Sequence, residues 1–330
     1  MIPLSYRNNN VYEGVLYFMK IAVLGTGFGA YHVEMYKKTG LVEEIVVWGR
    51  KEDRLAELHE KFGVQTTENL DDIWKDKSIS LVDICLPNFL HREMAEKALR
   101  KGKHVFLEMP LAETVEDGRM IIQTAKDCKR RVFVDLFLRH EFPYEYLAGL
   151  LKDGHLGNCM ELYVKRQTPP WWGNLDTEHI GLNLMHHDID FVVQLFGKPK
   201  DMEVSSLNIC QQQSVVTANF LYENCFATVH GASALPQTAP FSVGYEAVFE
   251  KGFVRYFEDG YSDGTLDTKL EVFTDEKKEE IKLAAQNCYE HVCRDVVTSI
   301  KENKKSILEG KFALQTLEVI SSMNEQIKKQ

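Results

Sequence analysis

The chain has 330 residues, 44% hydrophobic and 27% charged, and this length predicts two domains with sizeable cores. Its formal net charge of −10, from 39 basic and 49 acidic side chains, argues against nucleic acid or an anionic membrane as a partner. The sequence has no apolar run approaching the ~20 residues of a membrane helix. Its seven scattered cysteines are typical of reduced thiols in a cytoplasmic protein.

Residues 1–18 have neither a continuous apolar segment nor a small-residue cleavage site, so they do not read as a secretory signal. Met19 stands directly before the first predicted strand. We therefore expect residues 1–18 to be an N-terminal extension with little structural role.

A glycine-rich turn within residues 20–36 carries the clearest functional signal. An apolar run at 21–24 is followed by Gly25, Gly27 and Ala30, and then by a helix-permissive stretch. This is the G-x-G-x-x-A form of the dinucleotide fingerprint, in which the glycines allow a tight turn and the close approach of a pyrophosphate. Because a strand precedes the turn and further βα units follow it, the pattern predicts a dinucleotide site. The alternative is a glycine-rich turn that binds nothing.

The end of the second predicted strand bears on the choice of cofactor. An NAD-preferring site usually places an acid here for the ribose 2′-hydroxyl, whereas this chain has Gly49, followed by Arg50 and Lys51. These two cations could bind a 2′-phosphate, so NADP(H) is favoured over NAD(H). In the alternative, both cations are solvated and the acid is Glu52 or Asp53.

Strands and helices alternate over residues 19–136, which predicts a doubly wound parallel sheet covered on both faces. Over residues 137–330 most predicted elements are strands, and several of them alternate with period two. This pattern indicates an α/β domain with a large, mostly antiparallel open sheet. The fold class is therefore α/β with two domains, and helices over 287–303 and 311–328 close the fold, the last of them free to pack back on the first domain.

The segment 181–197 is apolar on nearly all sides at helical spacing, which indicates a buried helix. One narrow stripe of this helix is polar and consists of Asn183, His187, Asp190 and Gln194, with His186 at its edge. A polar stripe on a buried helix needs partners or a cavity. A neutral imidazole suits general acid–base chemistry near neutral pH, so His187 is a catalytic candidate. The alternative is a structural buried pair of His187 and Asp190.

The loop before this helix offers candidate substrate contacts. Trp171 and Trp172 could stack on the face of a sugar, or they could simply anchor the loop. Arg166 and His179 flank the loop and could bind an anionic or hydroxylated substrate. No metal is expected, because the nearest candidate ligands, His186, His187 and Asp190, would need partners from elsewhere in the chain.

Four segments occur in a characteristic order: GTGFGA, DICLPNFLH, GKHVFLEMPLA and GLNLMHHDID. Through them the chain, from Met19 nearly to its end, resembles the Gfo/Idh/MocA family of glucose–fructose oxidoreductases and inositol dehydrogenases. The resemblance implies a Rossmann domain followed by an α/β domain whose open sheet forms a homodimer or homotetramer. It also implies NAD(P)-dependent hydride transfer to or from a carbonyl or hydroxyl carbon of a small sugar-, sugar-phosphate- or cyclitol-like molecule.

The resemblance also implies roles for individual residues. His187 matches the histidine of the family's D-x-x-x-H signature and becomes the group expected to transfer a proton, with Asn183 at the position of the aspartate. The residues expected to border the cofactor are Gly25, Gly27, Phe28 and Ala30 at the pyrophosphate, Arg50 at the adenosine ribose, Pro87, Asn88 and His91 on the nicotinamide side, Glu108 at the nicotinamide ribose, and its neighbour Met109. The residues expected to border the substrate are Trp171, Trp172, Arg166 and His186.

Two departures from the family pattern affect the expected chemistry. Met109 replaces the lysine of Glu-Lys-Pro, and Asn183 replaces the aspartate of D-x-x-x-H. A lysine beside a hydroxyl eases its deprotonation, which Met109 cannot do, and Asn183 can only hydrogen-bond. His187 with its neighbours could still suffice for a dehydrogenase. The other open readings are an imine reductase, an NAD-using glycosidase, and a non-catalytic protein that responds to dinucleotide or sugar.

Overall fold

The structure is a computed structural model and describes residues 18–330, so all of the predicted N-terminal extension except Phe18 lies outside the described residues. Across the described residues no helix combines the length and the apolar composition that crossing a bilayer requires.

The first sheet has six parallel strands, as the alternation of strands and helices predicts. Its strands are β1 (Lys20–Leu24), β2 (Glu44–Trp48), β3 (Gln65–Thr67), β4 (Ile79–Ile84), β5 (His104–Leu107) and β6 (Val132–Val134), in the order 3-2-1-4-5-6. The helices of this half are α1 (Phe28–Thr39), α2 (Glu52–Phe62), α3 (Leu70–Lys75), α4 (His91–Arg100) and α5 (Val115–Asp127). The strand order reverses between β1 and β4, and in such sheets ligands bind at the carboxyl ends beside that reversal.

The second sheet has eight strands and confirms the mostly antiparallel prediction. Its strands are β7 (Cys159–Gln167), β8 (Asp201–Cys210), β9 (Gln213–Leu221), β10 (Phe226–Ala232), β11 (Phe241–Phe249), β12 (Gly252–Gly260), β13 (Leu266–Phe273) and β14 (Lys278–Glu280), in the order 14-13-12-11-7-10-9-8. β7 and β10 are parallel, and the other neighbours are antiparallel. The helices of this half are α6 (Phe142–Asp153), α7 (His186–Phe196), α8 (Cys288–Lys301) and α9 (Gly310–Ile327).

Helices α8 and α9 contribute to both hydrophobic cores. Val292 and Val296 of α8 are buried in the core of the first sheet, together with Leu317 of α9. One turn further along α9, Ile320 and Met323 are buried in the core of the second sheet. The end of the chain therefore packs on residues of the first half as well as the second.

The segment predicted as one regular helix is in fact two pieces. Gly181–Met185 form a wider π-helical turn, and α7 starts only at His186. Gly181 lies against α9, where a Cβ would come 2.5 Å from Cε of Met323. The wider turn changes the angular register, so the predicted single polar stripe of this segment is wrong. Asn183 is exposed and donates a hydrogen bond to the Asn174 carbonyl at 3.2 Å.

Candidate functional site

The turn between β1 and α1 requires glycine at its first position. Gly25 has φ +119°, and a Cβ there would lie 2.4 Å from the Cys85 carbonyl oxygen. Among the described residues, nothing lies within 4 Å of the Cβ position at Gly27, and no side chain caps the start of α1. The turn therefore presents an uncapped helix N-terminus beside a space that a Cβ would fill, which fits a pyrophosphate group.

The end of β2 has no room for an acid. Gly49 is buried, and a Cβ there would come 2.5 Å from Cγ2 of Thr26 in the glycine turn. Arg50, which follows it, is exposed. Arg54 on the next helix pairs with Glu57 at 2.9 Å. The geometry at this end suits a contact between Arg50 and a ribose 2′-phosphate. It suits less well a contact between a carboxylate at position 49 and a ribose 2′-hydroxyl.

The predicted nicotinamide side is only partly open. Pro87 is exposed and Asn88 begins a short 3₁₀ turn, so this part of the loop is open to solvent. The structure corrects the expectation for His91, which is fully buried with its two ring nitrogens 2.9 Å from the carbonyl oxygens of Pro110 and Leu86. His91 therefore joins two loops and leaves neither nitrogen for a ligand. Met109 is half-buried against the core of the first sheet.

A buried cluster of His32, Asp83, Glu108 and Asp135, here called the His32 cluster, lies at the carboxyl edge of the first sheet. Nδ1 of His32 is 2.8 Å from Oδ2 of Asp83, and Nε2 is 2.8 Å from Oε1 of Glu108 and 3.7 Å from Oδ2 of Asp135. Burial disfavours the imidazolium, but the Cys85 thiol and the carboxylates of Asp83 and Glu108 outweigh it and raise the pKa of His32 well above its usual value. Glu108, expected at the nicotinamide ribose, thus has one oxygen facing His32.

Sequence reasoning missed the His32 cluster, although one signal was present. Asp83 lies at the end of β4, Glu108 directly follows β5 and Asp135 directly follows β6. The carboxyl ends of parallel strands meet at one edge of a sheet. The positions of these three acids in the sequence therefore predict that they lie close together.

His187 is held by ring contacts. Its ring centroid lies 4.8 Å from that of Phe137 and 3.8 Å from that of His186, and within residues 18–330 its Nδ1 is buried with no hydrogen-bond partner. Burial is the largest cause that lowers the pKa of His187 well below its usual value, and the neighbouring His186 and Arg166 lower it further. Burial, with the charge of Arg166, lowers the pKa of His186 to about 3. Both imidazoles are therefore neutral near pH 7, as a general base must be.

The two aspartates of α7 are held by arginines. Asp190 accepts hydrogen bonds from Nε and Nη2 of Arg139 at 2.9 and 2.8 Å and a third from the Thr316 hydroxyl at 2.8 Å. The alternative of a His187–Asp190 pair is therefore wrong. Asp188 accepts hydrogen bonds from Arg166 at 2.6 and 3.2 Å. Arg166 is buried with its charge compensated, which corrects its expected role as a free cation for the substrate.

The tryptophan loop is exposed and partly anchored. The indole N–H of Trp171 donates to the Gln237 side chain at 3.1 Å, and the ring of Trp172 meets Phe241 edge-on at 4.9 Å. His179 is exposed and lies 2.6 Å from Oδ1 of Asp176. Trp171 is therefore held by Gln237 and Trp172 by Phe241. Both tryptophans still expose ring surface that a sugar could cover.

An aromatic column joins the glycine turn to His187. Phe28, the first residue of α1, packs edge-on against Tyr289 of α8 at 5.5 Å, and Tyr289 stacks on Phe137 at 5.0 Å. Phe137 in turn contacts His187. Sequence reasoning missed Tyr289, because its partners are more than a hundred residues away in the chain. The column brings the predicted pyrophosphate turn and the predicted proton-transfer group into one continuous structure.

Residues 19–136 match the family model described as an oxidoreductase family with an NAD-binding Rossmann fold, named Gfo/Idh/MocA. Residues 19–136 therefore have the NAD-binding Rossmann fold of that family. The match covers the first sheet with its glycine turn and the residues that form the His32 cluster. Three of the four sequence segments, GTGFGA, DICLPNFLH and GKHVFLEMPLA, lie within this match, which confirms the resemblance over residues 19–136.

Curated relatives are similar at low identity. An uncharacterized oxidoreductase of Synechocystis is 28% identical over 196 residues, which cover 56% of this chain and 53% of that protein. The scyllo-inositol 2-dehydrogenase (NADP(+)) of Bacillus subtilis is 24% identical over 263 residues, covering 74% of this chain and 71% of that protein. The chain thus spans about half the length of the first of these relatives.

Solved structures share the fold along nearly the whole chain. An oxidoreductase from Agrobacterium radiobacter in complex with NAD+, L-tartaric acid and magnesium superposes with a TM-score of 0.80, at 17% identity, over 94% of this chain and 96% of that one. An aldose–aldose oxidoreductase from Caulobacter crescentus superposes with a TM-score of 0.77, at 18% identity, over 94% and 98%. These likenesses show that the chain shares its overall two-sheet fold with these oxidoreductases.

Proposed function

We propose that the protein transfers hydride between NADP(H) and a carbonyl or hydroxyl carbon of a small, uncharged sugar- or cyclitol-like molecule. The observation that carries the proposal is the aromatic column from Phe28 to His187, which connects an open pyrophosphate turn with a neutral imidazole whose Nδ1 has no hydrogen-bond partner among residues 18–330. The relative named as a scyllo-inositol dehydrogenase supports the same substrate class.

In this proposal the nicotinamide cofactor supplies or accepts the hydride, and the chain supplies the position and the proton. Gly25 and Gly27 leave the backbone open to the pyrophosphate, and Phe28 packs at the first turn of α1. His187 is neutral, so one ring nitrogen can accept the hydroxyl proton during oxidation or return it during reduction. The ring of Phe137 packs against His187 and fixes the orientation of the imidazole. In other sites a carboxylate hydrogen-bonded to the histidine has this orienting role.

Replacing His187 with glutamine is expected to lower turnover by roughly 10²- to 10⁴-fold, the usual contribution of a general acid or base, while leaving cofactor affinity within about twofold. The measurement is the absorbance of the nicotinamide band during reaction with a panel of cyclitols, sugars and sugar phosphates. His155→Gln is the matched control, because His155 is an exposed histidine outside the substrate loop. Full turnover by His187→Gln would contradict the assigned role.

The charges near the substrate loop favour an uncharged substrate. The charge of Arg166 is compensated by Asp188, and the His179 ring already contacts the Asp176 carboxylate. A phosphate group would have to compete with these carboxylates for its cation. We therefore propose that the sugar phosphates of the panel react more slowly than the corresponding free sugars.

Arg50→Ala is expected to weaken NADP(H) binding by about tenfold, or about 1.4 kcal/mol, and to leave NAD(H) binding unchanged. The reason is that Arg50 is the exposed cation next to Gly49, where an acid does not fit. Fluorescence titration with NADPH and NADH measures both affinities. Arg54→Ala serves as the control, since Arg54 already pairs with Glu57. Equal losses for the two cofactors would show that Arg50 does not read the 2′-phosphate.

A second candidate function is a non-catalytic protein that responds to dinucleotide or sugar. Two observations favour it: Met109 has no titratable group, and Asn183 is exposed and bonded to the Asn174 carbonyl. The panel assay separates the candidates, because cofactor binding without any substrate-dependent change in absorbance would favour the binding protein.

We propose in addition that the protein is a cytoplasmic homodimer or homotetramer joined through the open face of the second sheet. Met160 and Phe226, on neighbouring strands of this sheet, are 44% and 45% exposed. Light scattering on the purified chain tests the assembly.

A further inference from the structure

The His32 cluster holds more acid than its one imidazole can balance. Asp83, Glu108 and Asp135 all approach His32, and an imidazolium compensates a single carboxylate. Asp135 is 1% exposed, yet in the described part of the chain its Oδ1 has no hydrogen-bond partner. A buried carboxylate without a donor is costly, so Asp135 needs either a proton or another positive charge.

The groups around Asp135 come from every element packed against it. They are His32 of α1, Asp83 at the end of β4, Glu108 after β5, and Cys288, Tyr289 and Cys293 of α8, while Tyr36 and Cys85 face Asp83 and His32. Burial, followed by the charge of Glu108, raises the pKa of Asp135 to about 7, although His32 opposes the rise. Near neutral pH the carboxyl group is therefore only partly ionised.

Glu108 connects the His32 cluster with the solvent at the carboxyl edge of the first sheet. This side chain is 21% exposed, directly precedes Met109, and touches His32 with its Oε1. Glu108 and Asp135 follow β5 and β6 at the carboxyl edge of the sheet, which is the edge where ligands of this fold bind. A positive charge placed at this edge would act on the cluster through a short, poorly screened path.

We propose that Asp135 gives up its proton when the oxidised, cationic form of the nicotinamide cofactor binds, and keeps it when the neutral reduced form binds. The proposal rests on the cofactor binding proposed above and deepens it. The step breaks the O–H bond of the Asp135 carboxyl group, moves one proton to the solvent and transfers no electrons. Asp135 is thus a positioning residue. Its ionisation changes the net charge of the His32 cluster, and this change acts on the cofactor through Glu108 and His32.

The sign of the pH dependence follows from this release. Asp135 is protonated in the free protein below about pH 7 and ionised in the complex with the oxidised cofactor, so binding of that form strengthens as pH rises. The gain amounts to at most about tenfold per pH unit and levels off above roughly pH 8, where the free protein has already lost the proton. Binding of the reduced form lacks this contribution.

Isothermal titration calorimetry of the full chain with NADP+ and with NADPH tests the proposal. Titrations between about pH 6 and about pH 8.5, in buffers of different ionisation enthalpy, count the protons released on binding. The 2′-phosphate titrates in both cofactors, so the difference between them isolates the charge of the ring. We expect release of up to one proton with NADP+ near about pH 6.5, and less with NADPH.

Asp135→Asn is expected to abolish the difference, while continued NADPH binding shows that the variant is folded. Glu141→Gln is the matched control and should retain the difference, because Glu141 is also an acid whose pKa is raised by burial but stands outside the cluster. The wild-type titration decides the question even if Asp135→Asn does not fold.

Two results would overturn the proposal while leaving the proposed function intact. The first is an identical pH dependence for NADP+ and NADPH in the wild type, or a retained difference in Asp135→Asn. The second is one equivalent of a divalent metal in the purified protein that Asp135→Asn loses. The ligand atoms of His32, Glu108 and Asp135 lie within 4.8 Å of one another, so a metal ion there would replace the proton. If neither cofactor binds, the proposed function fails as well.

Discussion

Replacing Asp190 with alanine is expected to destabilise the protein by about 3–5 kcal/mol. The change leaves the Arg139 guanidinium buried without its carboxylate, and the Thr316 hydroxyl loses its acceptor at the same time. Arg139 also donates to the Ile307 carbonyl at 2.8 Å, so the pair connects the segment before α6, helix α7 and the segment before α9. Equilibrium unfolding in urea measures the loss.

The control for this prediction is Arg119→Ala. Arg119 also forms an ion pair, with Glu318 at 2.8 Å, but its side chain is 57% exposed, so its removal should change the unfolding midpoint little. Equal effects of the two substitutions would mean that the buried pair adds no more than a surface pair.

Gly27→Ala is expected to weaken binding of either nicotinamide cofactor by roughly 100-fold, or about 3 kcal/mol, with little change in the melting temperature of the free protein. The new methyl group meets nothing within 4 Å in the described residues, so it would occupy space left for the ligand. Gly25→Ala should abolish binding and also lower the melting temperature, because its methyl group would lie 2.4 Å from the Cys85 carbonyl oxygen at a φ of +119°. Fluorescence titration and thermal melting measure the two effects separately.

The matched control is Gly149→Ala on helix α6. There too the added methyl group meets nothing within 4 Å among residues 18–330, but the position is remote from the turn. Its cofactor affinity should equal that of the wild type. An unchanged affinity in Gly27→Ala would contradict the assignment of the pyrophosphate to this turn.

Local sequence patterns were sufficient for the features that depend on neighbouring residues. The glycine turn and the alternation of strands and helices follow from spacing alone, and the structure confirms the α/β class. The short strand β3 was not predicted because Gln65–Thr67 has no apolar residue to mark it. β13 also escaped prediction, since charged residues interrupt its alternation.

The parts of the site that sequence reasoning missed depend on contacts distant in the chain. Tyr289 reaches the glycine turn only because α8 returns to the first sheet. The predicted polar stripe failed because regular helical spacing was assumed through Gly181, whose close contact with α9 accompanies a wider turn. Asp190 likewise meets Arg139, more than fifty residues earlier, and not the histidine one turn away.

The return of α8 and α9 to the first sheet has a consequence for biosynthesis. A ribosome releases the nucleotide-binding half long before the residues that complete its core, since Val292, Val296 and Leu317 come from the last fifty positions of the chain. Until then that half exposes an apolar surface which these later residues cover. The first half therefore completes its core only after residue 317 has been made, and a fragment cut after the first sheet would carry this uncovered surface permanently.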